Sequence, residues 1–537
     1  MKKFIKAISA IAVCLSLASC NAWLDDYEDT SNLYDTQAWS SEQTADLYIN
    51  GFYTYISKYS PFGDQQFGGS LTESLTDSFK YGSQALGHKA GHPNNYVTTP
   101  EAISTAGCLY GIWSEAYTQI RRINGFLTSM KKYSKFSAEK NTELEAQARF
   151  FRAFVYFQLA KRHPQGVIML DHLLETNDIA RSSAEEMWEF IYQDIKFAVD
   201  NLPEEWNATN KGRVTKYAAL ALMSRAMLYA ERWQDAYDAA ELIIASGKFG
   251  LVDDYAQSWK GGNKESILEF NYNVNGPAHN FDQDNVPNCD GYEYGSLGTP
   301  TQEMVECYEK ADGSEFDWSA WHAGSSTRPY YETLEPRFQA TVIYNGCDWK
   351  GKTMECAVGT ENGTWMDYGS ESYSYGKTTT GYYLRKLVDE SHTDLKGVKS
   401  TQTWVEFRYA EVLLNRAEAA YRLGNTDYQN TMNDVRARVG LPKKNTTGET
   451  WFNDYRRERK VELSYEGHLF WDLRRWKVAH IELSNYRVHG LKIVGSTFNY
   501  VECDIADRLF YQRLYCLPIP DAEINNNNLI EQYPEWL

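Results

Sequence analysis

The stretch Trp451–Lys477 reads WFNDYRRERKVELSYEGHLFWDLRRWK and is rich in both aromatic and charged residues. Residues 455–465 contain neither Pro nor Gly and are dominated by Arg, Glu, Lys and Leu, which predicts a helix. Gly467 follows, and because Gly adopts positive φ without strain we expect it to end that helix. A second helix is predicted to begin near Leu469.

The side chains of this stretch predict a helical hairpin packed on the body of the protein. Leu469, Leu473 and Trp476 recur at i, i+4 and i+7, which makes a one-sided apolar stripe on the second helix. Arg459 and Glu462 stand at i and i+3 in the first helix, where they can pair across one turn. Ion-pair networks are common in scaffolds, so this chemistry favours a structural role over a catalytic one.

The order of these residues resembles the C-terminal signature of the SusD/RagB family of outer-membrane nutrient-binding lipoproteins. That signature has an Arg/Glu-rich helix, then Glu-Gly-His, then an aromatic residue with Asp-Leu, and finally Arg-Trp. Leu469 departs from it, since the family often has Arg there, and this puts one ion pair of the hairpin in question. The matching positions are Arg456-Arg457-Glu458-Arg459, Val461-Glu462-Leu463, Glu466-Gly467-His468, Asp472-Leu473 and Arg475-Trp476.

The N-terminus predicts a lipoprotein signal peptide over residues 1–19. A basic start is followed by an apolar run from about Ala7 to Ala18, shorter than the ~20 residues of a membrane-spanning helix. The run closes with Leu17-Ala18-Ser19-Cys20, which looks like a bacterial lipobox and predicts acylation of Cys20. The alternative is an ordinary secretory signal in which Cys20 is incidental. Residues 20–40 are predicted to be a lipidated acidic tether, similar to the surface-export signal of SusD-like lipoproteins.

Charge and cysteine content exclude some classes of function. The chain has 72 Asp and Glu against 54 Lys and Arg, a formal net charge of −18, which argues against nucleic acid as a partner. Of its nine cysteines, Cys14 leaves with the signal and Cys20 is the predicted acylation site. The remaining seven cannot all pair and form no C-x-x-C, so neither a disulfide framework nor a zinc site is indicated, and zero to three disulfides stay open.

Apolar periodicity predicts a mainly α fold with little β structure, and the resemblance implies one SusD-like domain over residues 41–537. Helices are predicted over 41–58, 109–130 and 143–161, the last buried nearly all round. Residues 214–247 and 409–438 each resemble a tetratricopeptide unit; the alternative is two unrelated Ala-rich hairpins. The helical scaffold is predicted to comprise about 41–254 and 403–480, interrupted by a loop-rich ligand-binding insertion of about 255–402.

The insertion is dense in Tyr and Trp as well as Gly, Asn, Asp and Ser. An exposed Tyr or Trp offers a flat apolar face with a polar tip, which suits the C–H face of a sugar ring. The resemblance implies that a glycan site draws on this insertion and on the N-terminal loop, residues 61–100. The alternative is that most of these rings fill small cores under the loops. The candidate ligand-binding residues are Tyr81, Tyr96, Tyr272, Tyr292, Tyr294, Trp318 and Trp321.

One polar segment of the insertion has partial calcium-loop spacing. Asp282, Asp284 and Asp290 are spaced like calcium ligands, but Val286 and Pro287 stand where a ligand and a Gly belong. An ordinary polar loop is therefore the alternative to a calcium site. No phosphate-binding loop, G-x-S-x-G or H-E-x-x-H occurs, and no other cofactor is expected.

What the resemblance implies is a non-catalytic lipoprotein anchored by its lipid in the outer membrane and facing outward. Such a protein binds an oligo- or polysaccharide and delivers it to a TonB-dependent transporter of the SusC type. Two other functions stay open: a surface hydrolase acting on glycan or peptide, and a helical-repeat protein-interaction lipoprotein. Products from glycan panels would indicate the first, and a tight protein partner without glycan binding the second.

Overall fold

The structure is a computed structural model that describes residues 39–63, 71–81, 93–174, 176, 178–292, 295–367 and 376–537. The predicted signal peptide, Cys20, the tether up to residue 38 and Tyr294 lie outside these ranges. Within them, no helix combines the length and the apolar character needed to cross a membrane. The seven cysteines in the described ranges are all free thiols.

Helices form most of the regular structure, which confirms the predicted mainly α fold. In the described residues the α-helices are α1 (Glu42–Asn50), α2 (Thr54–Lys58), α3 (Pro93–Thr98), α4 (Trp113–Tyr133), α5 (Ala138–Ala160), α6 (Ala184–Asn201), α7 (Lys216–Tyr229), α8 (Trp233–Ala245), α9 (Phe281–Asn285), α10 (Gln302–Val305), α11 (Ser319–His322), α12 (Pro336–Thr341), α13 (Tyr409–Leu423), α14 (Gln429–Arg438), α15 (Gly448–Glu462), α16 (Leu469–Arg475), α17 (Ala479–Glu482) and α18 (Asp521–Asn526).

The described strands are short and pair two by two, antiparallel, as β1 with β3, β2 with β8, β4 with β7, β5 with β6 and β9 with β10. They are β1 (Phe79–Tyr81), β2 (Ser266–Phe270), β3 (Gly298–Pro300), β4 (Val342–Ile343), β5 (Asp348–Trp349), β6 (Lys352–Thr353), β7 (Tyr383–Leu384), β8 (Trp404–Arg408), β9 (His489–Val494) and β10 (Thr497–Glu502).

The long helices stack in sequence order. Each of α4 to α7 packs on the next helix, α8 packs on α13, and α13 packs on α14. The two tetratricopeptide-like units predicted from sequence are therefore neighbours in space, although the insertion separates them along the chain. The insertion leaves and rejoins the scaffold at one place, because β2 pairs antiparallel with β8. Its base is thus fixed to the helical frame.

The predicted helices exist with different ends. Helix α5 begins at Ala138 rather than Glu143, because the Ser137 hydroxyl caps it by accepting the N–H of Lys140. Its aromatic residues are at most 1% exposed, which confirms burial nearly all round. The predicted helix over 41–58 is interrupted by a 3₁₀ turn, Gly51–Tyr53, between α1 and α2.

The signature stretch, Trp451–Lys477, forms α15, a tight turn and α16. Helix α15 ends at Glu462, before the predicted end at Tyr465. The turn needs two residues at positive φ, Gly467 at 80° and Tyr465 at 63°, whereas the sequence pointed to the glycine alone. Helix α16 is buried on almost every side, so the predicted one-sided stripe is too narrow a description of it.

The buried ion pairs of this hairpin join α15 to α16 and α15 to other elements. The predicted Arg459–Glu462 pair is wrong: Arg459 Nε lies 2.7 Å from Asp472 Oδ2. Glu462 instead contacts Arg408 of β8 at 2.7 Å and Arg438 of α14 at 2.5 Å. These five side chains are all at most 3% exposed, and Glu462 also lies 3.2 Å from Arg337 of the insertion, so the signature forms a buried electrostatic junction between scaffold and insertion.

Candidate ligand-binding site

The end of the N-terminal loop, residues 72–81, lies directly on the signature turn. The Gly467 N–H donates to Glu73 Oε1 at 2.9 Å. Glu73 is 1% exposed, and this burial raises the pKa of its carboxyl to about 7. A backbone N–H that the turn leaves without a helical partner is therefore satisfied by the loop.

Further contacts join the N-terminal loop to the signature stretch. Lys460 Nζ of α15 lies 2.8 Å from Asp77 Oδ2. The Tyr465 hydroxyl donates to the backbone oxygen of Ser78 at 3.0 Å, and its ring lies 5.1 Å from the ring of Phe79. The left-handed backbone of Tyr465 is what aims this side chain at the loop. The signature thus fixes the loop just before strand β1.

Strand β1 joins the N-terminal loop to the insertion. It pairs antiparallel with β3, in the register Phe79 to Pro300 and Tyr81 to Gly298. The approach is close: a Cβ at Gly298 would lie 2.1 Å from the Phe79 ring, so only glycine fits there. The two regions from which the resemblance draws a glycan site therefore meet at this strand pair.

A buried ion triad lies beneath β1. Lys80 Nζ is 2.8 Å from Asp504 Oδ1, and Arg508 Nε donates to Asp504 Oδ2 at 2.8 Å. Burial alone would raise the pKa of Asp504, but Arg508 and Lys80 outweigh it and hold that pKa well below its usual value. Each of the three side chains is 1% exposed, so β1 is tied to the C-terminal region as well.

Beside β1 and β3 lies a small cavity of about 10 Å³. Two of its polar side chains have no hydrogen-bond partner among the described residues. The Ser74 hydroxyl is buried without a hydrogen bond. Among the described residues none donates to the Asp284 carboxyl, and burial raises its pKa to about 7. The lining residues are Pro61, Leu71, Ser74, Phe79, Tyr81, Phe281, Asp284, Asn285, Leu297 and Gly298.

Three of the predicted aromatic ligands are buried. Trp318 and Trp321 are 5% and 6% exposed and pack with Phe316, whose ring centroid is 4.5 Å from that of Trp318. Tyr272 is 9% exposed and lies 4.6 Å from the ring of His279. None of the three presents an open face to a sugar, which favours the alternative that these rings fill small cores under the loops.

The remaining described candidates are half-buried, and Tyr81 is the one that lines the cavity beside β1. Tyr96 instead lies 6.4 Å from the ring of Tyr110, and its hydroxyl accepts the N–H of Leu109 at 3.1 Å. Tyr292 packs at the edge of the main core. Ser74 was not predicted from the sequence, because no local pattern distinguishes a buried unpaired serine from any other.

The calcium candidates do not converge. Asp282 Oδ2 lies 2.7 Å from His392 Nδ1, and Asp290 Oδ2 lies 2.9 Å from Lys350 Nζ. Asp284 faces the cavity beside β1 instead. Across the ranges that the structure describes, no group of three or more His, Cys, Asp or Glu side chains could hold a metal. The spacing in sequence therefore does not become a common ligand shell.

A wider cleft, of about 900 Å³, lies between α12 and the segment before β8. Its lining contains one aromatic residue, Trp259, which is 5% exposed. Arg385 in the same lining already pairs with Glu390 at 2.8 Å. A sugar-stacking surface needs an accessible ring face, which this cleft lacks. The junction of β1 and β3 is therefore the better candidate site.

We expect Tyr465→Phe to loosen β1 without unfolding the protein. The change removes the bond to Ser78 O and keeps the ring, at a cost of about 1 kcal/mol. Hydrogen exchange should become about fivefold faster at residues 78–81. Tyr533→Phe is the matched control, since its buried hydroxyl donates to Gly166 O at 2.7 Å elsewhere. Equal exchange at 78–81 in both variants would contradict the positioning role.

The fold and site together define a class of protein: a tetratricopeptide-like frame of stacked helix pairs that holds a loop-rich insertion against an N-terminal loop. A family model described as the SusD family matches residues 256–536, and one described as starch-binding associating with outer membrane matches residues 22–228. The chain belongs to the SusD family, which confirms the resemblance found in the signature stretch.

Individual relatives agree with this assignment over nearly the whole chain. SusD-like protein P2 of Formosa agariphila is 24% identical and covers 100% of both chains. A solved SusD-like protein from Bacteroides fragilis superposes with a TM-score of 0.79 at 27% identity, over 95% of this chain and 100% of its own. A SusD-like carbohydrate binding protein from the same species gives 0.77 at 24% identity, over 92% and 99%.

Proposed function

We propose that this protein is a non-catalytic surface lipoprotein that binds an oligo- or polysaccharide at the junction of β1 and β3. The observation that carries the proposal is the pairing of the N-terminal loop with the insertion beside Tyr81. Rigid elements hold both sides of that junction, which lowers the entropy lost when a ligand binds. The carbohydrate-binding relative with the same fold supports the choice of ligand class.

The composition of the junction supports binding rather than hydrolysis. Glycoside hydrolysis commonly needs two carboxyl groups facing each other across the bond that is cleaved. Asp284 is the one Asp or Glu that lines the cavity within the described part of the chain. Among the described residues, this junction offers contacts for a sugar but no pair of carboxyl groups for acid–base chemistry.

The proposal includes the cell surface as the place of action. Acyl chains on Cys20 would anchor the protein in the outer membrane, with the acidic residues behind it as a tether. The matched family description, starch-binding associating with outer membrane, supports this location. The bound glycan would then be delivered to a TonB-dependent transporter of the SusC type, the partner that the resemblance implies.

Tyr81→Ala is the direct test of the site. Loss of one aromatic contact should weaken glycan binding at least about tenfold, equivalent to ~1.4 kcal/mol. The measurement is affinity electrophoresis in gels containing a panel of polysaccharides, with product analysis of the same mixtures to detect hydrolysis. Because Tyr81 is half-buried, the unfolding temperature is measured alongside.

Tyr330→Ala is the matched control, because this tyrosine is 59% exposed and lies 6.3 Å from Trp321, away from the cavity. It should bind as the unmodified protein does. If Tyr330→Ala lost affinity and Tyr81→Ala did not, the site would lie at the Trp318–Trp321 cluster that the sequence predicted. Release of sugar products would replace binding by hydrolysis as the function.

A further inference from the structure

The cavity beside β1 has room for one small polar group and no more. Its volume is about 10 Å³, at the lower limit for a single water molecule. A sugar ring cannot enter such a space. A hydroxyl that projects from a ring lying outside, against Tyr81, can.

The wall of this cavity is mostly apolar, but it contains two polar side chains to which the described residues offer no hydrogen bond. Ser74 is 1% exposed, and its hydroxyl makes no hydrogen bond. Asp284 is half-buried, and no described residue donates to its carboxyl. Leu71, Phe79 and Phe281 surround them. Buried polar groups without a partner are rare in native proteins, so the Ser74 hydroxyl points to a missing bonding partner, and the Asp284 carboxyl lines the same cavity.

The hydrogen-bonding chemistry of Ser74 and Asp284 determines which ligand group can bond to both. A serine hydroxyl can donate, and an ionised carboxylate can only accept. A group that bonds both must accept from Ser74 and donate to Asp284, which a sugar hydroxyl does. A ligand carboxylate or sulfate cannot donate, and Asp284 would repel it in this poorly solvated place. The described lining contains no Lys, Arg or His that would offset that repulsion.

We propose that Ser74 and Asp284 together form a hydroxyl-reading pocket that selects neutral glycans over uronic-acid or sulfated ones. This inference rests on the proposed function, because it assigns the ligand chemistry of the same junction. Asn285 also lines the cavity, and its side-chain amide donates one hydrogen bond to the Phe281 oxygen at 2.8 Å, within α9.

Two substitutions test the pocket without threatening the fold. Ser74→Ala removes an unpaired buried hydroxyl and should leave the unfolding temperature unchanged or raised. Burial raises the pKa of Asp284 to about 7, so the stability this carboxyl supports is present at low pH and lost as the pH rises through about 7. Asp284→Asn should therefore raise the unfolding temperature at pH 8.

The experiment is affinity electrophoresis at pH 8 with two sets of polymers. The neutral set is soluble starch, laminarin, xyloglucan and galactomannan, and the anionic set is polygalacturonate, alginate and chondroitin sulfate. We expect retardation by at least one neutral polymer and by none of the anionic ones. Ser74→Ala and Asp284→Asn should each weaken that retardation about tenfold in Kd. Asp200→Asn, at an exposed aspartate, is the control and should bind unchanged.

The other outcomes separate the two proposals. Retardation by anionic but not neutral polymers overturns the neutral selectivity and leaves glycan binding standing. Neutral binding that is equal in both variants and the unmodified protein shows that the cavity holds only water, which also overturns it. No retardation by any polymer removes glycan binding at this junction and the selectivity with it.

Discussion

Replacing Glu462 by alanine is expected to lower the free energy of unfolding by about 3–5 kcal/mol. Glu462 is fully buried and contacts Arg408 and Arg438, at 2.7 and 2.5 Å. Removing it takes one buried carboxylate from both guanidinium groups, which keep Glu265 as the carboxylate they still share. Total stability is typically about 5–15 kcal/mol, so a large share would be lost. Urea unfolding followed by circular dichroism measures the change.

The control is Asp200→Ala. Asp200 lies 2.7 Å from Lys196 Nζ, but both side chains are about half exposed, at 53% and 48%. Water solvates the remaining charge when such an exposed pair is broken, so the urea midpoint should not move measurably. If Glu462→Ala shifted the midpoint no more than Asp200→Ala does, the buried network would not be what joins the insertion to the scaffold.

Glu418→Gln is expected to destabilise the protein by about 3 kcal/mol at neutral pH and by much less in acid. Glu418 of α13 is fully buried and accepts from both Nη groups of Arg475, at 2.7 and 2.6 Å, and from the Trp476 indole at 2.8 Å. Burial alone would raise the pKa of Glu418, but Arg475 and Arg459 outweigh it and hold the pKa at about 2.

The direction of the pH dependence follows from the lowered pKa of Glu418. The carboxylate contributes its stability above the unfolded pKa of about 4.3 and loses it as the pH falls towards 2. The difference in unfolding free energy between Glu418→Gln and the unmodified protein should therefore be constant above pH 5 and shrink below it. Glu482→Gln, at a carboxylate 39% exposed and paired with Arg456, should show no such difference. A gap that persisted at pH 2 would contradict the assignment.

Much of the fold follows from local sequence. Helix α5 and the two tetratricopeptide-like helix pairs could be predicted, because apolar spacing and small side chains act between residues three or four apart. The ends of these helices are harder to predict, because caps such as Ser137 depend on single hydrogen bonds. The turn after α15 shows the limit: a glycine is visible in the sequence, but Tyr465 at positive φ is not.

The candidate site is harder to predict because its parts are far apart in the chain. Tyr81 could be proposed because the resemblance pointed to the N-terminal loop. The same reasoning favoured Trp318 and Trp321, which the structure buries at 5% and 6% exposure. Residue type indicates what a ring could do, whereas its neighbours decide whether the ring is open to solvent.

By itself the sequence determined the family and the mainly helical character of the frame. These depend on periodicity and on a long signature whose residues are neighbours in the chain. Tertiary structure alone decided that Arg459 pairs with Asp472 and that Ser74 and Asp284 line one cavity beside β1. Such contacts form between segments that are far apart in the chain and are brought together by packing. Several side chains of the same type could pair with each partner, and the packing determines which one does.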